Sequence, residues 1–155
     1  MGITKWGVAI IVVIALVVIG FWIVYGSLLQ QGIKEKIVAS GRFHQVAHKS
    51  EGTATIYKML NGETVLHLSD FKAGEGQGLE VYLISAPDAF ENETVEKSQI
   101  ISLGALQHIE GNQSYTLPND VDLQKFGAVV IWSTKYRVNF ATAPLKPANQ
   151  EAMGH

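Results

Sequence analysis

An uninterrupted apolar run near the N-terminus constrains this chain more than any other feature of its sequence. The run Val8–Tyr25 reads VAIIVVIALVVIGFWIVY and contains no charged side chain. As an α-helix these 18 residues would extend about 27 Å, close to the hydrocarbon thickness of a bilayer. Trp6 at one end and Trp22 and Tyr25 at the other are ring types that settle among lipid headgroups. The run therefore predicts a single transmembrane helix with these three residues as interfacial anchors.

A cleaved signal peptide is the alternative to this anchor. Its apolar core is usually about 7–15 residues long and is followed by a small-x-small cleavage site. The present run is longer, and the YGSLLQQG sequence at its end contains no Ala-x-Ala, so the uncleaved anchor is favoured. Lys5 and the α-amino group precede the run, and Lys34, Lys36 and Arg42 follow it, so positive charges do not fix its orientation. We expect an extracytoplasmic domain, because a short N-terminal tail before a folded domain more often leaves that domain outside.

The composition excludes several classes of function. The 155 residues include 12 Lys+Arg and 14 Asp+Glu, which gives a formal net charge of -2. Nucleic-acid-binding proteins usually carry a basic surface that neutralises phosphates, so we predict no nucleic-acid partner. The chain contains no Cys, which excludes disulfides, zinc–thiolate sites, iron–sulfur ligation and thiol nucleophiles.

Beyond the apolar run, short stretches of alternating polarity indicate β-strands. Asn61-Gly62 separates TATIYKM from TVLHLSDF and predicts a hairpin, because both turn residues tolerate positive φ. Further turn residues separate the stretches LEVYLIS, QIISLGAL, QSYTLP, FGAVVIWS and YRVNFATAPL. The pattern predicts an all-β fold, an antiparallel sandwich or barrel, over residues 41–146. Residues 1–26 form the tail and transmembrane helix in this interpretation, residues 27–40 a linker, and residues 147–155 a flexible tail.

Residues that could carry catalysis do not assemble into a recognisable set. His44 and His48 would share one face of a helix, but on a strand about 13 Å would separate them, too far for one metal ion. His67 and His108 are isolated in the sequence, and the Asp and Glu residues fall mostly in or beside turns. We therefore predict no catalytic residue, no metal site and no enzymatic activity.

Three late aromatic residues form the other candidate surface. Trp132, Tyr136 and Phe140 are four residues apart along the last two strands and could line one face of the sandwich. Core packing is our main interpretation of this spacing, and a cofactor- or ligand-binding face is the alternative.

The order of these features from Gly41 to Leu145 resembles the DM13 domain family. That family occurs in extracytoplasmic and membrane-linked proteins and is proposed to take part in electron transfer. The segments that carry the resemblance are Gly41-x-Phe43, His48-x3-Gly52-x-Ala54-x-Ile56-Tyr57, Val65-Leu66-x-Leu68-x2-Phe71, Gly78-Leu79-x-Val81-Tyr82-Leu83, Leu103-Gly104-x-Leu106, Gly111-Asn112-Gln113-x-Tyr115-x-Leu117-Pro118, Val130-Ile131-Trp132-Ser133 and Val138-x-Phe140-x3-Pro144-Leu145.

Two departures from the family pattern bear on function. The pattern has Cys directly after the Ile-Trp pair, where this chain has Ser133. The redox proposal for the family depends on that Cys, as a thiol or as a ligand, and a Ser hydroxyl offers no comparable redox chemistry. The second departure is in the Gly-Pro-acidic-Leu turn, which here reads Gly76-Gln77-Gly78-Leu79. The resemblance thus supports the fold more strongly than electron transfer.

These observations leave two main functional hypotheses. The first is a membrane-anchored, non-catalytic β domain without a cofactor, which binds other membrane-protein subunits as an accessory subunit or acts as a cell-envelope adhesion module. The alternative is an electron-transfer or cofactor-binding domain that holds haem or a metal. Its candidate residues are His44, His48, Trp132 and Ser133, with His67 and His108 as further imidazoles. Binding of a small apolar molecule between the sheets is a weaker third option.

Overall fold

The computed structural model describes residue 2 and residues 4–29 and 35–151, with side chains omitted for 24–29, 150 and 151. The chain divides into an N-terminal unit, residues 1–34, and a β domain, residues 35–155. We describe each unit by itself.

The N-terminal unit contains one long helix, α1, which spans Lys5–Leu29. Its segment Lys5–Ile23 is long and apolar enough to cross a membrane, a property that membrane anchors share with signal sequences. The side chains of Trp6 and Trp22 are exposed on this helix, as interfacial anchors require. The side chain of Tyr25, the third predicted anchor, lies outside the described residues.

The β domain consists of two five-stranded antiparallel sheets. The first sheet has the order β10-β1-β3-β4-β7, and the second has the order β2-β9-β8-β5-β6. The strands of the first sheet are β1 Lys36–Arg42, β3 Glu51–Lys58, β4 Thr64–Lys72, β7 Gln113–Thr116 and β10 Lys146–Pro147. Those of the second are β2 His44–Gln45, β5 Leu79–Ile84, β6 Ile100–Ala105, β8 Ala128–Ser133 and β9 Val138–Pro144. Both sheets are open, so the predicted all-β fold is a sandwich and not a closed barrel.

Two short helices lie in connections between strands, and a third follows the last strand. They are α2 Asn92–Lys97, a 3₁₀ helix Leu123–Lys125, and α3 Ala148–Glu151. The first packs its buried residue Val95 against the outer face of the second sheet, which explains why that face is apolar.

The core lies between the two sheets, with a smaller cluster outside the second one. Inner side chains such as Leu66 and Leu68 of β4 alternate with more exposed ones, as the polar alternation of that strand predicts. Strand β8 is buried along its whole length, because its other face packs into the outer cluster. The outer cluster consists of Ile84, Ala89, Val95, Ala128, Val130 and Trp132.

The predicted Asn61-Gly62 hairpin is confirmed. It joins β3 to β4, where Lys58 lies opposite Thr64 across the turn. Gly62 has a φ of 90°, a conformation that costs glycine little because it has no Cβ. Such a turn sets the register of the two strands.

The N-terminal boundary of the β domain differs from the predicted one. Strand β1 begins at Lys36, inside the predicted linker 27–40, and pairs with β3 along Lys36–Arg42. The KIVASGR sequence lacks the clear alternation of a half-buried strand, because small and polar residues interrupt it. The neighbouring strand therefore determines this element more than its own sequence does.

Candidate functional site

Ser133 is a fully buried residue at the end of β8. Its hydroxyl donates a 2.8 Å hydrogen bond to the carbonyl oxygen of Gln77, and it accepts a 3.1 Å hydrogen bond from the backbone N–H of Tyr136. A hydroxyl has only one hydrogen to donate, so its donor capacity is used. Ser133 therefore joins the β8–β9 turn to the loop that precedes β5.

The same loop is fixed by a second pair of contacts. The backbone N–H and the hydroxyl of Thr134 both donate to the carbonyl oxygen of Gly78, at 2.8 and 3.0 Å. Gly78 has a φ of 64°, and a Cβ at this position would lie 2.8 Å from the Thr134 hydroxyl oxygen. The side chain of Lys135 also contacts the Gln77 amide oxygen. The turn that departs from the family pattern is thus held firmly against the β8–β9 connection.

Trp132 points away from Ser133 into the outer cluster, because successive side chains on a strand face opposite ways. Its indole is 6% exposed and lies nearly parallel to the Tyr82 ring, with centroids 6.4 Å apart. Together they line a groove of about 380 Å³, whose other lining residues are Val95, Glu96, Ile100, Thr134 and Arg137. Trp132 is therefore mainly a packing residue that also contributes to a surface groove.

An ion pair stands at the rim of this groove. Arg137 donates from Nε at 3.1 Å and from Nη2 at 2.7 Å to the same oxygen of Glu96. Arg137 has a φ of 55°, a left-handed conformation that non-glycine residues adopt rarely. The pair connects the β8–β9 turn to α2.

The three late aromatic residues do not share one face, so that part of the sequence interpretation was wrong. Trp132 lies in the outer cluster, Tyr136 is 56% exposed in the turn, and Phe140 is buried between the sheets. The four-residue turn between β8 and β9 breaks the strand periodicity on which the interpretation depended.

His44 and His48 also lie in different surroundings. The Nε2 atom of His44 is 2.6 Å from a carboxylate oxygen of Asp88, and its ring stacks on Phe90 with centroids 4.5 Å apart. The ring of His48 instead stacks on Phe140 at 4.1 Å. Strand β2 covers only His44–Gln45, so the two histidines do not lie on one strand.

Two further histidines, His67 and His108, are separate from this pair. Nδ1 of His67 is 2.7 Å from the Ser114 hydroxyl, on the first sheet. His108 is held through its backbone. Its N–H donates to the side-chain oxygen of Gln113, and its carbonyl oxygen accepts from the side-chain nitrogen of Gln113. Within residues 4–29 and 35–151, no group of three or more His, Cys, Asp or Glu residues could hold a metal ion.

A comparison with protein families shows to which family this chain belongs. The family described as "Electron transfer DM13" matches residues 42–145. The chain belongs to the DM13 family. No curated protein matches it, and no solved structure matches it. The match runs from the last residue of β1 to the residue after β9, so this DM13 domain includes most of the sandwich.

The residues of this DM13 domain do not fit a haem or metal centre at the position of the family Cys. The Ser133 hydroxyl is enclosed and hydrogen-bonded to the backbone on both sides. Trp132 packs on the opposite face of the strand, and His44 and His48 stack on different aromatic rings. These four candidates therefore do not converge on one ligand.

Sequence reasoning missed a buried polar network in the DM13 domain. The amide nitrogen of Asn139 donates to Ala89 O at 3.2 Å and to the Thr142 hydroxyl at 2.9 Å. That hydroxyl donates to Ala89 O at 2.9 Å, and the Asn139 backbone N–H donates to the Asn92 side chain at 2.8 Å. A polar Asn within the apolar run of β9 was the only available signal, because its partner segment lies 50 residues away.

Proposed function

We propose that this chain is a membrane-anchored, non-catalytic DM13 domain that binds other membrane-protein subunits, as an accessory subunit of a membrane complex. The observation that carries the proposal is the geometry at Ser133. This side chain occupies the position of the family Cys, yet its hydroxyl serves as a buried hydrogen-bonded link between two loops. A Ser hydroxyl in that role supplies neither a thiolate nor a haem ligand.

The membrane anchor in this proposal is α1. The helix is 25 residues long, and an α-helix needs about 20 apolar residues to cross the hydrocarbon core. Its exposed Trp6 and Trp22 side chains lie near the two ends of the segment Lys5–Ile23 and support an interfacial position there. The proposal has the β domain on the extracytoplasmic side, since long domains translocate largely regardless of their charge.

The side-chain arrangement supports a binding module over an enzyme. Nucleophilic catalysis requires a nucleophile within reach of a base that a third group orients. In the pair His67–Ser114 a hydroxyl lies 2.7 Å from a ring nitrogen of a possible base. No third residue of the described chain hydrogen-bonds to the other His67 nitrogen, so nothing orients that base. The pair His44–Asp88 has a base and an orienting carboxylate, but no hydroxyl of the described domain hydrogen-bonds to His44.

Electron transfer is the second candidate function. The description of the matched family favours it. In this chain it would require a centre built from a residue set other than Ser133, Trp132, His44 and His48, because these four do not converge.

Isolation of the native protein in a mild detergent, after chemical cross-linking in its membrane, tests the binding role. We expect a stable companion that co-purifies with the full chain. The control is α1 fused to an unrelated soluble domain, which should lose the companion if the β domain makes the contact. A lone monomer after mild extraction contradicts the proposal, and so does a companion that the control retains.

A further inference from the structure

A cavity of about 280 Å³ borders the core of the sandwich beside β1. Strands β1 and β3 form one wall, and the 3₁₀ helix, the residues after β9 and the start of α3 form the other. Most of the lining is apolar and includes Val38, Ile56, Leu123, Phe126 and Leu145. These five side chains belong to the core or pack against it, so the cavity opens onto the edge of the core. We call it the β1 cavity.

A β-bulge in β1 shapes this cavity. Ile37 lies opposite Tyr57 in the pairing of β1 with β3. The next paired residue of β1 is Ala39, opposite Ile56, so Val38 is an extra residue without a partner on β3. A bulge bends its strand and re-aims a side chain, and bulges are frequent next to functional sites. Val38 and the small Ala39 both line the β1 cavity, so the shape of the backbone helps to form the opening.

The lining of the β1 cavity carries no charge. Among the described residues that line it, the side chains are apolar except those of Gln124 and Asn149, two exposed amides. A charged ligand would lose its hydration there without gaining an ion pair, so the cavity favours an uncharged ligand. Neither amide side chain hydrogen-bonds to another described residue. Each amide therefore has a donor and an acceptor for a polar group of a ligand.

The size of the cavity limits the ligand further. An apolar cavity of about 150 Å³ stays dry and accepts benzene. On the same scale, the β1 cavity has room for roughly ten to twelve non-hydrogen atoms. Removal of a hydrocarbon chain of this size from water would drive its binding.

We propose that the β1 cavity binds one uncharged amphiphilic molecule of this size. Its hydrocarbon part lies against Val38, Ile56 and Phe126, and its hydroxyl or carbonyl group hydrogen-bonds to Gln124 and Asn149. This binding goes beyond the proposed role as an accessory subunit and does not depend on it.

Methyl NMR of the full chain in phospholipid nanodiscs tests the site, with 1-decanol as the probe. Decanol matches the cavity in size and carries one hydroxyl. Isotope-labelled isoleucine methyl groups report binding, and Ile56→Val and Ile84→Val identify the two signals that matter. Ile56 lines the cavity, whereas Ile84 is equally buried but lies in the outer cluster. We expect decanol to shift the Ile56 signal saturably and to leave the Ile84 signal unchanged; no shift at Ile56, or equal shifts at both, overturns the proposal.

Two related probes test the chemistry of the ligand on the unmodified chain. Decanoate at neutral pH has the same chain length with a negative charge, and decane has no polar group. We expect decanoate to leave the Ile56 signal in place and decane to bind more weakly than decanol. Decanoate that binds as tightly as decanol contradicts the preference for an uncharged ligand, and decane that does so contradicts the role of the amides.

A filled cavity should lose the ligand. Ala39→Leu adds methyl groups to the lining and should weaken decanol binding roughly tenfold, because the added volume competes with the ligand. Ala105→Leu on β6 is the matched control, since it makes the same change at an exposed position outside the cavity. An unchanged Ile84 signal shows that each variant is folded. A folded Ala39→Leu protein that binds decanol like the control overturns the site.

The two amides are tested together. Gln124→Ala combined with Asn149→Ala should weaken decanol binding roughly two- to tenfold, as the loss of a hydrogen bond does, and should leave decane binding unchanged. An equal loss for decanol and decane, or no loss for either, contradicts the hydrogen bonds to the polar group.

Discussion

The Ser133 hydroxyl and the Gln77 carbonyl oxygen are 2.8 Å apart, although 56 residues separate them in the chain. The bond connects the end of β8 to the loop through which the chain passes from the first sheet to the second. A Cys at this position would be a weaker donor with a larger sulfur atom. Ser133 therefore has a structural role at the place where the family pattern has Cys.

Removal of this hydroxyl should destabilise the domain. Ser133→Ala leaves the Gln77 carbonyl and the Tyr136 N–H without their buried partner. We expect a loss of about 0.5–1.5 kcal/mol in the free energy of unfolding, the usual net contribution of a hydrogen bond, because Gln77 and Tyr136 are themselves exposed residues. Urea unfolding of the purified protein measures it. Ser102→Ala is the control, since that exposed hydroxyl should change stability little; equal losses in both variants would contradict the structural role.

Gly41 should tolerate no larger side chain. A Cβ at this position would lie 1.9 Å from the backbone oxygen of Pro144, where β1 passes close to the end of β9. Gly41→Ala must push the two strands apart, and overpacking of this kind costs about 1–3 kcal/mol or more. Thermal unfolding should show a clear fall in Tm. The neighbouring Ser40→Ala on the same strand serves as the reference, and a Gly41→Ala protein as stable as this reference would refute the close approach.

The buried network around Asn139 should depend on the Thr142 hydroxyl. Thr142→Val keeps the shape of the side chain but removes the donor to Ala89 O and the acceptor of the Asn139 amide. We expect a loss of about 1–3 kcal/mol, because these groups are fully buried. Thr142→Ser retains the hydroxyl and should recover part of the loss in denaturant unfolding. No difference between Val and Ser at this position would show that the hydroxyl is dispensable.

The domain should become less stable in alkaline solution. Burial and, second, the negative charge of Glu80 raise the pKa of Tyr82 above its usual value of 10.0. The folded state then holds its proton more tightly than the unfolded state, so stability is full below pH 10.0 and falls as the pH rises towards the pKa of the folded state.

Denaturant unfolding between neutral and alkaline pH measures this loss. Tyr82→Phe should weaken the pH dependence, whereas Tyr136→Phe, an exposed control, should leave it unchanged. The prediction fails if Tyr82→Phe has the same alkaline profile as the original protein.

The sequence predicted the fold well where local chemistry determines an element. Asn61-Gly62 predicted the β3–β4 hairpin correctly, because the turn needs a residue with positive φ and Gly62 supplies it locally. The start of β1 at Lys36 was not predictable in this way. Its pairing with β3 is a tertiary contact, and its own residues alternate poorly.

The candidate site was less accessible from sequence than the fold. Proximity in sequence suggested a relation between His44 and His48, but each ring is fixed by a distant residue, Phe90 and Phe140. The same holds for Ser133, whose burial and partner Gln77 follow from the packing of the β8–β9 turn on the crossing loop. Family resemblance identified the position, and only the structure shows what the hydroxyl does there.

Redox titration of the full-length protein, with voltammetry of the original chain and of Ser133→Ala under the same conditions, tests the central claim most directly. We predict no reversible electron transfer that depends on residue 133, so both proteins should give the same trace. A reversible redox couple that the original chain shows and Ser133→Ala lacks would contradict a purely structural role of this hydroxyl. It would favour electron transfer as the function of the domain.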